Sequence, residues 1–115
     1  MTHLHAYIAA INAAPSAQQI AKRELTDHSF EESGIEVTAQ TGVYTFANGV
    51  VVQREFELEQ SEPDPSQSCQ ECWIGYKVLS LPDGLEVQPR SKAFANKCQE
   101  LFWMRMTARD QAASA

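Results

Sequence analysis

The sequence predicts a two-layer α+β domain. An antiparallel meander sheet of about five strands packs against one or two N-terminal helices and a C-terminal helix. Three observations point there. Asn48-Gly49 sits between two apolar runs, 42–46 and 50–58, a strong short-range hairpin signature because both residues tolerate positive φ. Apolar residues at helical spacing are confined to the two ends of the chain. A length of 115 residues supports one core and one domain, 1–115.

From the N-terminus, Leu4, Ile8 and Ile11 recur at helical spacing, and Ala9, Ala10 and Ala13 favour helix. Residues 2–13 therefore read as a helix, with Thr2 as its N-cap. Pro15 interrupts it. Ser16 and Gln19 have capping-box spacing, which predicts a second helix over 17–26 carrying Ile20, Ala21 and Leu25. Residues 27–34 are polar, with Phe30 expected to anchor them to the core.

Residues 35–40 alternate and predict a first strand, turning at Thr41-Gly42 into the hairpin. A two-residue hairpin loop would mix apolar and polar residues on both faces. A three-residue loop, Ala47-Asn48-Gly49, pairs Phe46 with Val50 and Tyr44 with Val52 and puts Gly49 at the αL bulge position. One face then carries Tyr44, Phe46, Val50, Val52, Phe56 and Leu58; the other carries Thr45, Val51, Gln53, Glu55 and Glu57. That segregation suits a sheet buried on one side. Arg54 is the exception on the apolar face. It is expected at the rim, its stem over the core and its head in water.

Residues 60–70, with two prolines and three serines, form a flexible loop that cannot build a core. Residues 72–81 and 85–89 read as the fourth and fifth strands, separated by the turn at Pro82-Asp83-Gly84. Residues 91–109 read as the last helix. Phe94, Cys98, Leu101, Phe102 and Arg105 fall on one stripe, and Trp103, Met104 and Met106 widen the apolar arc beyond what one sheet face needs. Residues 111–115 are expected to fray.

Hydrophobic content of 43% and charged content of 21% are ordinary for a globular protein. No apolar run reaches the ~18 residues of a membrane span. The first residues lack a secretory pattern, so the expected location is the cytoplasm. The net charge is −6, which argues against wrapping nucleic acid. The charge is uneven. Glu55, Glu57, Glu59, Glu62, Asp64 and Glu71 follow one another without a base, whereas Arg90, Lys92, Lys97, Arg105 and Arg109 enclose one acid, Glu100.

Catalytic patterning is thin. Cys69 and Cys72 have CxxC spacing, and Cys98 could join them in a thiol or zinc module. Cys72 runs into a strand rather than opening a helix, however, and Glu71 opposes thiolate formation. His3 and His5 lie about 200° apart on a helix and cannot chelate one metal there. Ser-His-Asp, phosphate-loop, dinucleotide and HExxH patterns are absent. A third possibility is a small-ligand carrier with a pocket lined by Tyr44, Phe46, Trp73 and Phe102.

What remains is interface chemistry. Glu55, Glu57 and Glu59 alternate onto one strand face and supply charge for a basic partner. Trp103, Met106 and Arg109 belong to residue types enriched at protein interfaces. The sequence therefore points to a non-catalytic protein-binding module of adaptor or inhibitor type, without a cofactor. Its partner would be another protein or a second copy in a homodimer.

Overall fold

A computed structural model of the chain describes the backbone of residues 2–60 and 71–113 and the side chains of 2–59 and 71–109. The predicted flexible loop lies almost wholly outside these residues. The elements are β1 (Thr2–His3), α1 (Leu4–Ile11), β2 (Ile20–Asp27), β3 (Phe30–Glu32), β4 (Ile35–Phe46), β5 (Val51–Gln60), β6 (Glu71–Ser80), β7 (Val87–Gln88), β8 (Ser91–Asn96) and α2 (Lys97–Ala113). The main sheet runs β2-β4-β5-β6-β8, with β3 continuing beside β4. All its pairings are antiparallel. β1 and β7 form a short parallel pair. Both helices lie on one face of the sheet, so the two-layer α+β plan holds.

The hairpin has the three-residue loop. The Phe46 N–H bonds the Val50 carbonyl at 2.8 Å, and the Gly49 N–H returns to the Phe46 carbonyl at 2.9 Å. Tyr44 pairs with Val52, and Gly49 has φ +93°. Tyr44, Phe46, Val50 and Val52 are buried beneath the helices with Leu4, Tyr7, Ile8, Ile74, Tyr76, Val87 and Phe94. Glu55, Glu57 and Glu59 are exposed on the opposite face.

Several sequence expectations are corrected. Residues 20–27 form a strand, not a second helix. The Ser16 hydroxyl accepts from the Gln18 N–H (3.0 Å) and donates to the Ala6 carbonyl (2.6 Å). It thus closes a local turn instead of a capping box, and pairing with β4 overrides the segment's helix propensity. Phe30 does not anchor a loop to the core; it pairs with Val37 at the sheet margin and is half exposed. Residues 41–42 are not a turn, because β4 runs unbroken from Ile35 to Phe46.

The last helix starts at Lys97, and 91–96 is a strand paired with β6. Asn96 is its N-cap, the side-chain oxygen accepting from the Gln99 N–H at 2.8 Å, while the Gln99 side chain reaches back to the Ala95 N–H at 2.9 Å. At the other end α2 runs through Ala113, into the segment expected to fray. In α1 the N-cap is His3, whose Nδ1 accepts from the His5 N–H at 3.0 Å. Thr2 instead bonds the Glu86 carbonyl.

Candidate protein-binding surface

α2 offers two apolar arcs, and two contacts decide which one turns inward. Trp103 packs against Phe94 with ring centroids 5.6 Å apart. Glu100, on the same side of the helix, is 3% exposed, and its Oε2 accepts a 2.7 Å hydrogen bond from the Tyr76 hydroxyl. The arc containing Glu100, Trp103 and Met104 therefore faces the core. The opposite arc, Leu101 and Phe102, faces solvent with side chains 59% and 62% exposed. Met106 lies one turn beyond Phe102 and is also exposed, and Arg105 and Arg109 flank the three. The sequence stripe through Cys98, Leu101 and Phe102 is thus real, but it is the outward one.

The predicted partner residues divide between two faces. Trp103 is half-buried and also meets His3 and His5, at centroid distances of 5.8 and 6.4 Å. Met106 and Arg109 stay on the exposed helix face. Glu55, Glu57 and Glu59 lie across the sheet from both helices. Glu55 sits between Thr41 and Gly75, and Glu57 between Ala39 and Trp73. Trp73, 48% exposed, folds over Gly75, where a Cβ would lie 3.2 Å from the indole Nε1. With Gln53, Glu55, Lys77 and Ser91 it lines an open depression of about 560 Å³. A single contact patch therefore cannot use the glutamates and the helix together.

Arg54 occupies the rim position expected of it. It is half-buried on the core face, its Nε donates to the Tyr76 hydroxyl at 3.2 Å, and its guanidinium lies 5.3 Å from the Phe56 ring centroid. Asn12 Nδ2 reaches the same hydroxyl at 3.4 Å. Tyr76 thus links strand, helix and arginine. Burial, reinforced by the Glu100 carboxylate, raises the Tyr76 pKa further above its already high ordinary value, so the phenol remains protonated and acts as a fixed donor.

Among the described residues the rival readings find only part of their residues. Cys72 is a free, half-buried thiol whose pKa is pushed up by burial, the opposite of what a nucleophile or metal ligand needs. Cys98 is disulfide-bonded, and Cys69 lies outside the described residues. Among the described residues no three His, Cys, Asp or Glu side chains cluster as a metal site would require. The carrier pocket drawn from Tyr44, Phe46, Trp73 and Phe102 does not form either. Phe46 is sealed in the core, Trp73 is on the far face and Phe102 points to solvent. A smaller cavity of about 230 Å³ lies elsewhere on the helix-bearing face, between Leu25, Gln40, Gly42, Tyr44 and Arg54.

No helix among the described residues is long and apolar enough to cross a membrane. Comparison with protein-family models, with curated proteins and with solved structures gives no match to this chain.

Proposed function

We propose that the chain is a non-catalytic protein-binding module, acting in the cytoplasm as an adaptor or inhibitor, whose contact surface is the outward arc of α2. One observation carries the reading: Leu101, Phe102 and Met106 stand exposed side by side while the other arc of the same helix is used by the core. Contiguous large apolar side chains with arginines beside them have the composition of an interface centre and its charged surround.

The charge of the arc selects the partner. Glu100 is the only carboxylate among the described side chains of α2, and it is buried. The exposed arc is therefore apolar and cationic. A second copy docked through the same helix would bring arginines together, so the arc suits an amphipathic segment of another protein that carries Asp or Glu beside its apolar side chains.

Selection of a random-peptide display library on the purified chain tests this directly. The expected enrichment is for peptides with several large apolar residues and net negative charge. Their binding should weaken with added salt and disappear in Phe102→Asp. No enrichment, or peptides that bind Phe102→Asp equally well, would remove the helix arc as the contact surface.

A further inference from the structure

We propose that β2 is a self-pairing edge, through which two copies of this chain join their sheets antiparallel about a two-fold axis at Leu25. This contact does not involve the outward arc of α2. β2 ends the strand order of the main sheet, and every residue of it after Ile20 is exposed. Leu25, in mid-strand, is 69% exposed, more than any other large apolar side chain among the described residues. An open edge with an apolar residue at its centre is a template for another strand.

The direction of the backbone groups restricts the pairing. The His28 N–H bonds the Ala39 carbonyl of β4 at 2.9 Å, and bonding alternates along an antiparallel ladder. Thr26 and Glu24 therefore bond inward to β4, while Asp27, Leu25 and Arg23 turn their N–H and C=O groups to the open side. Two such edges can bond only in registers that match outward residues with outward residues. One allowed register sets Arg23 against Arg23 of the second copy. The next sets Glu24 against Glu24. Both oppose like charges across the strands, which is destabilising.

The third register sets Leu25 against Leu25, and Arg23 against Asp27 on either side. It opposes no like charges. It places one apolar contact on the axis between two symmetric ion pairs, all on the helix-bearing face, with six backbone hydrogen bonds from the three outward residues of each strand. On the other face Glu24 meets Thr26 and Lys22 meets His28. The charges that would repel a foreign strand thus neutralise one another when the second strand is the chain's own. A further shift would set Leu25 against Asp27 and lose both the apolar pair and the ion pairs.

The test is the mass of the full chain in solution, by light scattering coupled to size-exclusion chromatography and by sedimentation over a wide concentration range. The expected species has twice the 12.8 kDa chain mass. Arg23→Asp and Asp27→Arg should each weaken dimerisation by at least about 10-fold, whereas the double swap should return it to within about 3-fold of wild type. Leu25→Pro removes an outward N–H that β4 does not use, so the monomer should fold, as read by circular dichroism, without dimerising. Phe102→Asp should leave the dimer intact. A chain monomeric at every concentration overturns the proposal. So does a dimer indifferent to these edge variants, a double swap no better than its single members, or a dimer lost in Phe102→Asp.

Discussion

Removing the Tyr76 hydroxyl should cost more than removing any other single polar atom in this core. That oxygen donates to the buried Glu100 carboxylate at 2.7 Å and accepts from Arg54 at 3.2 Å. Tyr76→Phe keeps the ring's shape, so no large cavity opens. What is lost is one charge-assisted bond in a dry site, worth about 1.5–3 kcal/mol, together with satisfaction of a carboxylate oxygen that water cannot reach. Arg54 is half-exposed and recovers much of its loss by hydration. The expected total is about 3 kcal/mol. At about 2.1 cal/mol/K of unfolding entropy per residue, a chain of this size loses roughly 4 °C of Tm per kcal/mol, or about 12 °C here. Urea unfolding followed by tryptophan fluorescence gives the free energy, and a thermal scan gives the Tm. Tyr76→Phe combined with Glu100→Leu should cost less than the sum of the two single changes, because the carboxylate that was stranded is gone. A loss below about 1 kcal/mol for Tyr76→Phe, or strict additivity of the pair, would refute the buried-network account.

Gly49→Ala should destabilise more than Gly34→Ala. Both glycines have positive φ, but an added Cβ at Gly49 lies 2.8 Å from Pro82 Cγ, whereas at Gly34 it meets nothing within 4 Å. The difference should be about 1 kcal/mol or more in urea unfolding, and equal costs would contradict the hairpin geometry. A second expectation concerns pH. Burial against Trp103 holds His3 and His5 below their usual pKa of 6.5, with His5 adding repulsion at His3 and a bond to Met104 partly opposing the shift at His5. The folded state then binds fewer protons than the unfolded state. The histidine contribution is intact above about pH 6.5 and is lost as pH falls from there through the folded-state values. Unfolding measured from pH 7.5 down to 5 should show that decline, and His3→Gln with His5→Gln should flatten it. An unchanged slope in the double variant would deny the histidines this role.

What the sequence discloses here follows the range of the interactions involved. The Asn48-Gly49 hairpin is legible because its register is set by a turn and by alternation within a few residues, and the observed Tyr44–Val52 pair follows from that alone. Segments 17–26 and 91–96 are misread because their local signals favour helix while their partners are remote. β2 is held by β4 about twenty residues on, and β8 by β6 across a crossing loop. The true start of α2 was nevertheless written locally, since Asn96 and Gln99 have capping-box spacing. The facing of α2 was not legible. Both arcs are apolar, and the Phe94–Trp103 contact and the Tyr76–Glu100 bond that choose between them join residues whose proximity only the fold creates.

The same facing would let the proposed helix arc and strand edge serve different partners at once. α1 and α2 cover the sheet from Phe94 on β8 to Tyr44 on β4. Beyond Arg54 the apolar alternation of β5 continues through Phe56 to Leu58, but Leu58 lies outside the core cluster, and Leu25, in register with Gly42 and Arg54, is open. Pairing through β2 would bring two such uncovered margins together under one continuous sheet. A two-fold axis perpendicular to that sheet keeps both helix layers on one side, so the two α2 arcs of a dimer would address the same direction. A partner with two acidic amphipathic segments, linked at a span matching the two arcs, would then bind by avidity, its second contact made at high effective concentration. Edge and helix would in this sense be complementary: one would set how many arcs are presented together, and the other what each arc recognises.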